Sequence, residues 1–353
     1  MKIAFLGDIA LVGQFSSSSE KLNYLVKLLD RYDYRIANLE SPMTNRTKTL
    51  VPKSMHLRAN EESVEVLNAL KINAVTLANN HCYDYGRKGV DDTCRVLDAS
   101  GIKWYGIDGK TVTETIDGTR FTLSGFCCLS TNGTGYRRNK SEGINVLTKT
   151  AVEEQATRDK LDGAVSVMSI HYGLEHTSYP GMEHIRLFDD LINYNTVIVH
   201  GHHPHQVQGI IEKNESLIAY SLGNALFDRL KSINKQFDVE LNKENRKSFV
   251  LGVEIDKGSI CEYETNGFYI GNDGIVSYDI DSELQNISFS LRNIKNVSSY
   301  QNNRLKQYNA VLEKKFGKHN FKWLKSRFNY YSIGAKICTI KNSILYKRVK
   351  KDF

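Results

Sequence analysis

Histidine residues are concentrated in one part of this sequence. Seven of the ten histidines lie between positions 171 and 205, and four of these occur in the segment 200–205. That segment follows the apolar run 196–199, which predicts a buried strand. Because open α/β sheets bind their ligands at the carboxyl ends of strands, we expect the imidazoles of this segment to line a binding site.

Polar side chains also follow other apolar runs. Asp8 and Glu40 close the first and second runs of the chain, and His171 closes a later run. If these runs are neighbouring strands, their polar ends meet at one edge of a single sheet. The third run is followed by three more polar residues, Asn79, Asn80 and His81.

Carboxylates and imidazoles gathered at one place form a set of metal ligands. This mixture of oxygen and nitrogen suits Zn, Mn or Fe, whereas an all-oxygen set would suit Mg or Ca. A carboxylate that bridges two cations ~3.5–4 Å apart lets the pair activate a shared water and hold a phosphoryl or carbonyl oxygen. The sequence therefore predicts a divalent metal site with one or two ions.

Short apolar runs alternate with amphipathic stretches from Lys2 to about Leu226, which predicts a layered α/β domain. The predicted strands are 3–5, 34–39, 74–78, 102–105, 119–129, 164–170, 196–199 and 217–221. The predicted helices are 20–30, 61–70, 90–97 and 184–193. Later runs at 249–255, 261–270 and 275–280 predict an antiparallel strand group, and 281–316 is predicted to be helical.

Length and composition limit the class of protein. The chain has 353 residues, of which 41% are hydrophobic and 25% charged, so disordered, collagen-like and coiled-coil classes are excluded. No window approaches the ~20 apolar residues of a membrane-spanning helix, and Asp8 interrupts the first run before it reaches signal-peptide length. Six cysteines without a CxxC pair suit reduced thiols. We expect a cytoplasmic protein, peripheral at the inner membrane face if it meets a membrane.

The positive charge is concentrated near residue 353. Residues 317–353 contain ten Lys and Arg against the single acid Asp352, although the whole chain carries only +7. The body therefore lacks the basic surface that nucleic acid requires, and we expect no nucleic-acid partner. Aromatic residues interleave with these cations, which leaves two interpretations open. The segment is either a surface for an anionic membrane or a membrane synthase, or a helical cap whose aromatics pack on the body.

Eight short blocks agree in residue type and order with one known family. The blocks lie at 5–8, 37–42, 63–69, 77–81, 84–86, 170–173, 201–205 and 219–224. On these blocks the chain resembles the CapA family of capsule and poly-γ-glutamate biosynthesis proteins, which is itself similar to calcineurin-like metallophosphoesterases. The resemblance covers about the first 230 residues and implies a layered sheet sandwich flanked by helices. We accordingly expect a CapA-type domain over 1–280 and a helical, basic and aromatic extension over 281–353.

The resemblance also implies which residues hold metal. Glu40 stands where the phosphoesterases have a bridging aspartate, so it is implied to bridge two ions. The other implied ligands are Asp8 for the first ion, Asn80 and His171 for the second, and His203 and His205 to complete the two sites.

A catalytic role is implied for His81. It follows an Asn-His pattern in which the histidine is not a ligand but donates a proton to the leaving group or stabilises developing charge. Other residues are expected to fix the imidazole tautomers or to face the substrate. These residues are Asn79, Asp84, His202 and Asn224.

One position departs from the phosphoesterase pattern. Metallophosphoesterases usually begin Asp-x-His, and Ala10 stands where that histidine would supply a second ligand to the first ion. The centre would then hold one ion, hold two with extra water, or bind without turnover.

Three functions are compatible with these expectations. The leading hypothesis is a metal-dependent hydrolase-like protein that cleaves a phosphoester or amide bond in the synthesis, trimming or release of an anionic polymer such as capsule or poly-γ-glutamate. The second is a catalytically weak accessory subunit that binds metal or polymer and docks on a membrane synthase. The third is a cytoplasmic phosphoesterase acting on nucleotides or small phosphates. The sequence does not predict an oligomeric state.

Overall fold

The computed structural model describes residues 1–13, 15–49, 53, 55–137, 141–227, 230, 231, 238, 239, 241–316, 325 and 328–353. The strands are β1 (Lys2–Ile9), β2 (Tyr34–Leu39), β3 (Ala74–Thr76), β4 (Lys103–Tyr105), β5 (Val112–Ile116), β6 (Thr119–Cys127), β7 (Val165–His171), β8 (Val197–His202), β9 (Ile210–Lys213), β10 (Ser216–Ala219), β11 (Asn224–Leu226), β12 (Leu230–Lys231), β13 (Asp238–Val239), β14 (Lys247–Asp256), β15 (Ser259–Ile270) and β16 (Ile275–Ser277). The helices are α1 (Asn23–Leu29), α2 (Val64–Ala69), α3 (Gly86–Ala99), α4 (Lys149–Leu161), α5 (Met182–Leu191), α6 (Asp281–Arg292), α7 (Val297–Phe316) and Tyr330–Val349, which we call the tail helix.

Most of the strands belong to two large sheets. The first sheet has the order β16-β15-β14-β1-β2-β3-β4, with β11 paired to the end of β1. The second has the order β5-β6-β7-β8-β10-β9, and β12 and β13 form a separate ribbon. Strands β1 to β4 are parallel to one another, as are β6, β7, β8 and β10. The parallel strands of each sheet therefore end at a common edge, where α/β sheets bind ligands.

The two sheets pack face to face. Successive side chains of a strand point to opposite faces, and in β1 the residues Ile3 and Phe5 point into the core between the sheets. Phe121 and Val167 of the second sheet belong to the same core. Polar contacts also cross it, since the carbonyl oxygen of Leu6 lies 2.8 Å from Nε2 of His200. These contacts fix the edge of one sheet against the edge of the other.

Helices cover the outer face of each sheet. On the first sheet, Ala4 and Leu6 of β1 belong to a core that includes Leu25 of α1, Leu67 of α2 and Leu97 of α3. On the second sheet, the outer core joins β7 to α4 and α5 through residues that include Met168, Val152 and Phe188. The predicted layered α/β fold, a sheet sandwich flanked by helices, is confirmed.

The prediction that all the polar strand ends share one sheet is wrong. Asp8 and Glu40 belong to the first sheet, whereas His171 and the histidines after β8 belong to the second. The sequence shows that each run ends in a polar residue, but sheet membership depends on pairings between distant strands. The polar ends therefore meet across the sandwich rather than along one edge.

Every predicted strand and helix overlaps an element of the structure, but the helix α4 was not predicted. Its buried face includes the polar residues Gln155 and Asp159, so apolar residues do not recur at helical spacing. The two side chains satisfy each other, because Gln155 Nε2 donates to Asp159 at 2.7 Å. The helix begins after Thr148, whose side chain accepts a hydrogen bond from the backbone of Ala151, as N-cap residues do.

Most of the described residues of the extension expected at 281–353 are helical. It contains α6, α7 and the tail helix, while residues 317–324, 326 and 327 of the expected extension lie outside the described residues. The predicted strand group β14 to β16 is antiparallel and extends the first sheet beyond β1. Among the described helices, none combines the length and apolar character that crossing a bilayer requires.

Candidate metal centre

Five buried side chains meet where the two sheets end. Asp8 lies in β1, and Glu40 directly follows β2. His171 ends β7, while His203 and His205 lie in the turn after β8. Each of the five is at most 9% exposed, so carboxylates and imidazoles are brought together away from water.

The potential ligand atoms form two groups that share one residue. In the first group, atoms of Asp8, Glu40 and His205 all lie within 4.8 Å of one another. In the second, atoms of Glu40, His171 and His203 do so. A carboxylate common to both groups has the position that a bridging ligand requires.

The two carboxylate oxygens of Glu40 have no hydrogen-bond partner in the described part of the chain, although they are fully buried. Its Oε1 atom lies 3.7 Å from Nε2 of His205 and 4.0 Å from Nε2 of both His171 and His81. Burial raises the pKa of Glu40 well above its ordinary value, against the charge of His205. Leaving a buried carboxylate without hydrogen bonds is costly, and a cation among these atoms would remove that cost.

Asp8 is surrounded by hydrogen-bond donors. Asn38 Nδ2 donates to its Oδ1 atom at 2.7 Å, and the backbone N–H of His203 donates to Oδ2 at 3.2 Å. Burial raises the pKa of Asp8, but the hydrogen bond and charge of His205 outweigh it and hold the pKa below its usual range. Asp8 is therefore an ionised carboxylate, the form that binds a cation.

The orientation of His205 is set by two neighbours. Its Nδ1 atom lies 2.9 Å from Oδ1 of Asn224 and 3.3 Å from Oδ2 of Asp8, which leaves Nε2 to face Glu40. Burial lowers the pKa of His205, but Glu40 and Asp8 outweigh it and raise the pKa to about 10. Without metal, the imidazole therefore carries a proton that a bound cation would replace.

The backbone of the turn after β8 is strained at His203 and His205, two of the potential ligands. His203 has φ 93° and His205 has φ 52°. Residues other than glycine seldom adopt such positive values of φ. The contact from the His203 N–H to Asp8 holds the first of these conformations in place. Strain of this kind persists where the surroundings over-determine it, as they do at functional sites.

His171 and Asn80 occupy the other side of Glu40. Oδ1 of Asn80 lies at hydrogen-bond distance, 3.0 Å, from Nε2 of His171, so Asn80 is in direct contact with the second ligand group. Burial, reinforced by the charge of His203, lowers the pKa of His171 well below its ordinary value. His171 is therefore neutral, which is the form of histidine that binds metal.

The Nε2 atom of His81 faces Glu40, and its Nδ1 atom contacts Asp84. Its Nδ1 atom lies 2.6 Å from Oδ2 of Asp84, and Lys53 Nζ donates to the other oxygen of Asp84 at 2.6 Å. Burial raises the pKa of Asp84, but Lys53 and His81 lower it to about 2. Burial and the charge of Lys53 lower the pKa of His81. An ionised Asp84 accepts the Nδ1 proton, so Nε2 of His81 is the atom available toward Glu40.

A model of the family described as bacterial capsule synthesis protein PGA_cap matches residues 2–229 of the chain. This chain belongs to that family. All five residues of the two ligand groups lie inside the matched range. The resemblance to CapA proteins that was predicted from eight short blocks is thereby confirmed.

Two relatives of this chain are named for the biosynthesis of PGA and of capsule. The chain is 27% identical over 243 residues to the PGA biosynthesis protein CapA of Bacillus subtilis, spanning 65% of this chain and 64% of that protein. It is 28% identical over 214 residues to the capsule biosynthesis protein CapA of Bacillus anthracis, spanning 57% of this chain and 52% of that protein. The match therefore covers only about half to two thirds of the relatives' own length.

Among solved structures, the chain is similar to the NAD nucleotidase of Haemophilus influenzae, with a TM-score of 0.40 at 14% identity over 91% of this chain and 68% of that one.

Asn79 and His202, which were predicted to support the centre, both lie beside it. Asn79 donates to Asn38 Oδ1 at 3.0 Å and to the carbonyl oxygen of Leu39 at 2.8 Å. The ring of His202 packs against that of His200, with 3.9 Å between centroids. Neither nitrogen of His202 has a hydrogen-bond partner in the described residues, although Nδ1 lies 3.6 Å from Oδ1 of Asp8.

Sequence reasoning missed three residues of the site. Asn38 donates to Asp8 and lies 3.4 Å from Nδ1 of His171. Lys53 holds Asp84, and Asn245 donates to the carbonyl oxygen of His205 at 2.7 Å. The signal for Asn38 was an amide inside the predicted buried strand 34–39, since a buried polar group needs a local partner. No comparable signal marks Lys53 or Asn245.

Ala10 does not contribute to the centre. It is fully buried in an apolar cluster with Leu57 and Phe227. The ring of Phe227 lies 4.9 Å from that of His205, so this side of the first ligand group is apolar. Position 10 therefore does not supply the histidine ligand that the Asp-x-His pattern of the phosphoesterases has there.

Removing the amide of Asn224 tests how much the orientation of His205 matters. We expect Asn224→Ala to weaken divalent-metal affinity by about 10–100-fold, the usual effect of losing an outer hydrogen-bond partner of a ligating histidine. Asn286→Ala, an exposed amide on α6, is the matched control. Isothermal titration with Mn²⁺ and Zn²⁺ measures both variants. Equal affinities would contradict a positioning role for Asn224.

Proposed function

We propose that this chain is a metal-dependent hydrolase-like protein that acts in the synthesis, trimming or release of an anionic polymer of the capsule or poly-γ-glutamate type. The observation that carries the proposal is Glu40, a fully buried carboxylate without hydrogen bonds that belongs to both ligand groups. The chemistry of the donors fits Zn, Mn or Fe better than Mg. One or two such ions, when bound, would supply Lewis acidity and lower the pKa of a coordinated water.

The chain's own residues would hold and orient the reacting groups. The two ligand groups share Glu40, so Glu40 would help to hold both of the proposed ions. Asn80 would direct its amide oxygen to the ion that His171 binds. His81 would move a proton at Nε2, while Asp84 holds its Nδ1 atom at 2.6 Å. A phosphoester or amide bond beside Glu40 would be within reach of this proton.

The polymer assignment rests on the family and its relatives rather than on the centre. Capsule and PGA biosynthesis are the roles given for the two CapA relatives. A cation centre suits an anionic substrate, because phosphate and carboxylate groups both bind divalent ions. We therefore prefer a polymer over nucleotides or small phosphates as the substrate class.

A second function is favoured by Ala10. Because the side facing Leu57 and Phe227 is apolar, the first ligand group lacks the extra histidine that the phosphoesterase pattern supplies. A catalytically weak accessory subunit, which binds metal or polymer for a membrane synthase, would need the ligands but no rapid turnover.

Metal analysis followed by activity assays separates these functions. We expect the purified full chain to retain Mn or Zn through dialysis and His205→Ala to lose metal, because His205 belongs to one ligand group. Metal-loaded protein is then assayed on a phosphodiester, a phosphomonoester and a γ-glutamyl polymer. Cleavage of the polymer supports the hydrolase, and metal binding without turnover supports the accessory subunit. Unchanged metal content in His205→Ala would overturn the ligand assignment and both functions.

A further inference from the structure

The tail helix has two faces of opposite character. One face is fixed to the body, where Asn342 Nδ2 donates to the carbonyl oxygen of Gly133 at 2.8 Å. On the same face, the hydroxyl of Tyr346 lies 3.1 Å from Oε1 of Glu183, and its ring stacks on His184. This face accounts for the aromatic residues of the extension that pack on the body. The opposite face is turned to solvent.

The solvent face carries a stripe of isoleucines. Its members follow one another at intervals of four, three and four residues, which places them on one line along an α-helix. Each is at least half exposed, between 50% and 62%. The members of this isoleucine stripe are Ile333, Ile337, Ile340 and Ile344.

Basic residues border the isoleucine stripe on both sides. At 100° per residue, Lys336 and Lys347 lie on one side of it, and Lys341 and Arg348 on the other. All four side chains belong to exposed residues. The helix contains no Asp or Glu between positions 330 and 349. Exposed Phe328 and Tyr330 extend the apolar surface at the beginning of the helix.

An apolar line between two rows of basic side chains is typical of a helix that lies on a membrane surface. Helices that lie in a membrane interface bury an apolar face at the level of the acyl chains, while Lys and Arg reach the headgroups. The absence of acidic residues removes the repulsion that anionic lipids would otherwise cause. We propose that the tail helix lies on an anionic membrane surface and docks through the isoleucine stripe.

The body-facing contacts connect this surface to the candidate metal centre. Gly133, which accepts the hydrogen bond from Asn342, lies just after Thr131. The carbonyl oxygen of Thr131 accepts a hydrogen bond from Asn80 at 3.1 Å. Membrane docking through the tail helix would therefore fix the orientation of the body. The candidate metal centre would then lie close to the docked helix.

Vesicle co-sedimentation of the full chain tests the proposal. We expect binding to vesicles of phosphatidylglycerol mixed with phosphatidylcholine, little binding to pure phosphatidylcholine, and release by rising salt. The double variant Ile337→Glu/Ile340→Glu should raise the lipid concentration needed for half-binding by about tenfold or more, because it places two charges in the apolar line. The matched control is Leu161→Glu/Phe289→Glu, which adds the same charge at exposed apolar positions of α4 and α6.

A second pair of variants keeps the isoleucine stripe intact. Lys341→Gln/Arg348→Gln should weaken binding to the anionic vesicles and flatten its salt dependence. Lys27→Gln/Lys88→Gln has the same net charge change at exposed positions of α1 and α3 and should bind like the parent chain. Thermal unfolding of each variant establishes that the body is folded, which is expected because all the substituted residues are exposed.

Several outcomes would overturn the membrane assignment. Equal binding to anionic and neutral vesicles would do so, as would equal binding by the isoleucine double variant and its control. A dimer that dissociates in Ile337→Glu/Ile340→Glu would show instead that a second copy covers the stripe. The inference does not rest on the proposed function, so metal-free His205→Ala should bind vesicles as tightly as the parent chain.

Discussion

Replacing Glu40 with glutamine is expected to abolish divalent-metal binding. Glu40 belongs to both ligand groups, so metal affinity should fall by more than the about 10–100-fold that loss of an outer partner costs. Glutamine has nearly the same size, but it offers one neutral amide oxygen in place of the two carboxylate oxygens, so it would no longer serve both groups.

Chemical denaturation with and without a chelator measures this loss. In chelator, Glu40→Gln and the parent chain each give the stability of their metal-free form. With added Mn²⁺ or Zn²⁺, only the parent chain should gain stability, because a ligand that binds only the folded state stabilises it. The exposed Glu65→Gln on α2 is the matched control and should behave like the parent chain. A Glu40→Gln protein that binds metal normally would disprove the bridging arrangement.

Replacing His81 with asparagine is expected to reduce turnover by about 100- to 10,000-fold, the range for loss of a positioned proton-transfer group. Metal content should not change, because His81 belongs to neither ligand group. The rate is measured on whichever substrate the metal-loaded parent chain cleaves. Loss of metal together with activity would show that His81 is a ligand rather than a proton carrier.

Asp84→Asn separates the imidazole from its support. His81 remains in this variant, but Nδ1 loses the ionised acceptor at 2.6 Å, so the tautomer with Nε2 free toward Glu40 is no longer favoured. Turnover should fall while metal affinity stays close to that of the parent chain. The surface carboxylate of Asp91, which pairs with Arg87, provides the matched control as Asp91→Asn. Full activity in Asp84→Asn would remove the proton-transfer role of the pair.

The sequence predicted the elements better than it predicted their assembly. Strand 34–39 is buried along its whole length and four of its six residues are apolar or aromatic, so its limits are evident from the sequence alone. Helix α4 was missed because Gln155 and Asp159 fill its buried face as a hydrogen-bonded pair. The division of the parallel strands between two sheets depends on long-range pairing, for which a single sequence contains no periodic signal.

The predicted site residues were placed together more successfully than the residues that support them. Asp8, Glu40, His171, His203 and His205 lie at or just after the carboxyl ends of strands, which is where the side chains of parallel strands converge. Lys53 and Asn245 instead reach the centre from irregular segments. The conformation of such segments is decided by contacts with the rest of the fold, so their participation could not be predicted from spacing.

The potential ligands come from both sheets, and neither sheet contains a complete ligand group. Asp8 and His203, which are in contact across the sandwich, are separated by 195 positions in the chain. During synthesis, a nascent chain must therefore be extended past His203 before one of the two groups is complete, and past His205 before the other is. A bound ion would link strands that are synthesised first to strands that are synthesised later. Separating the two sheets would then require the ion to dissociate from these side chains.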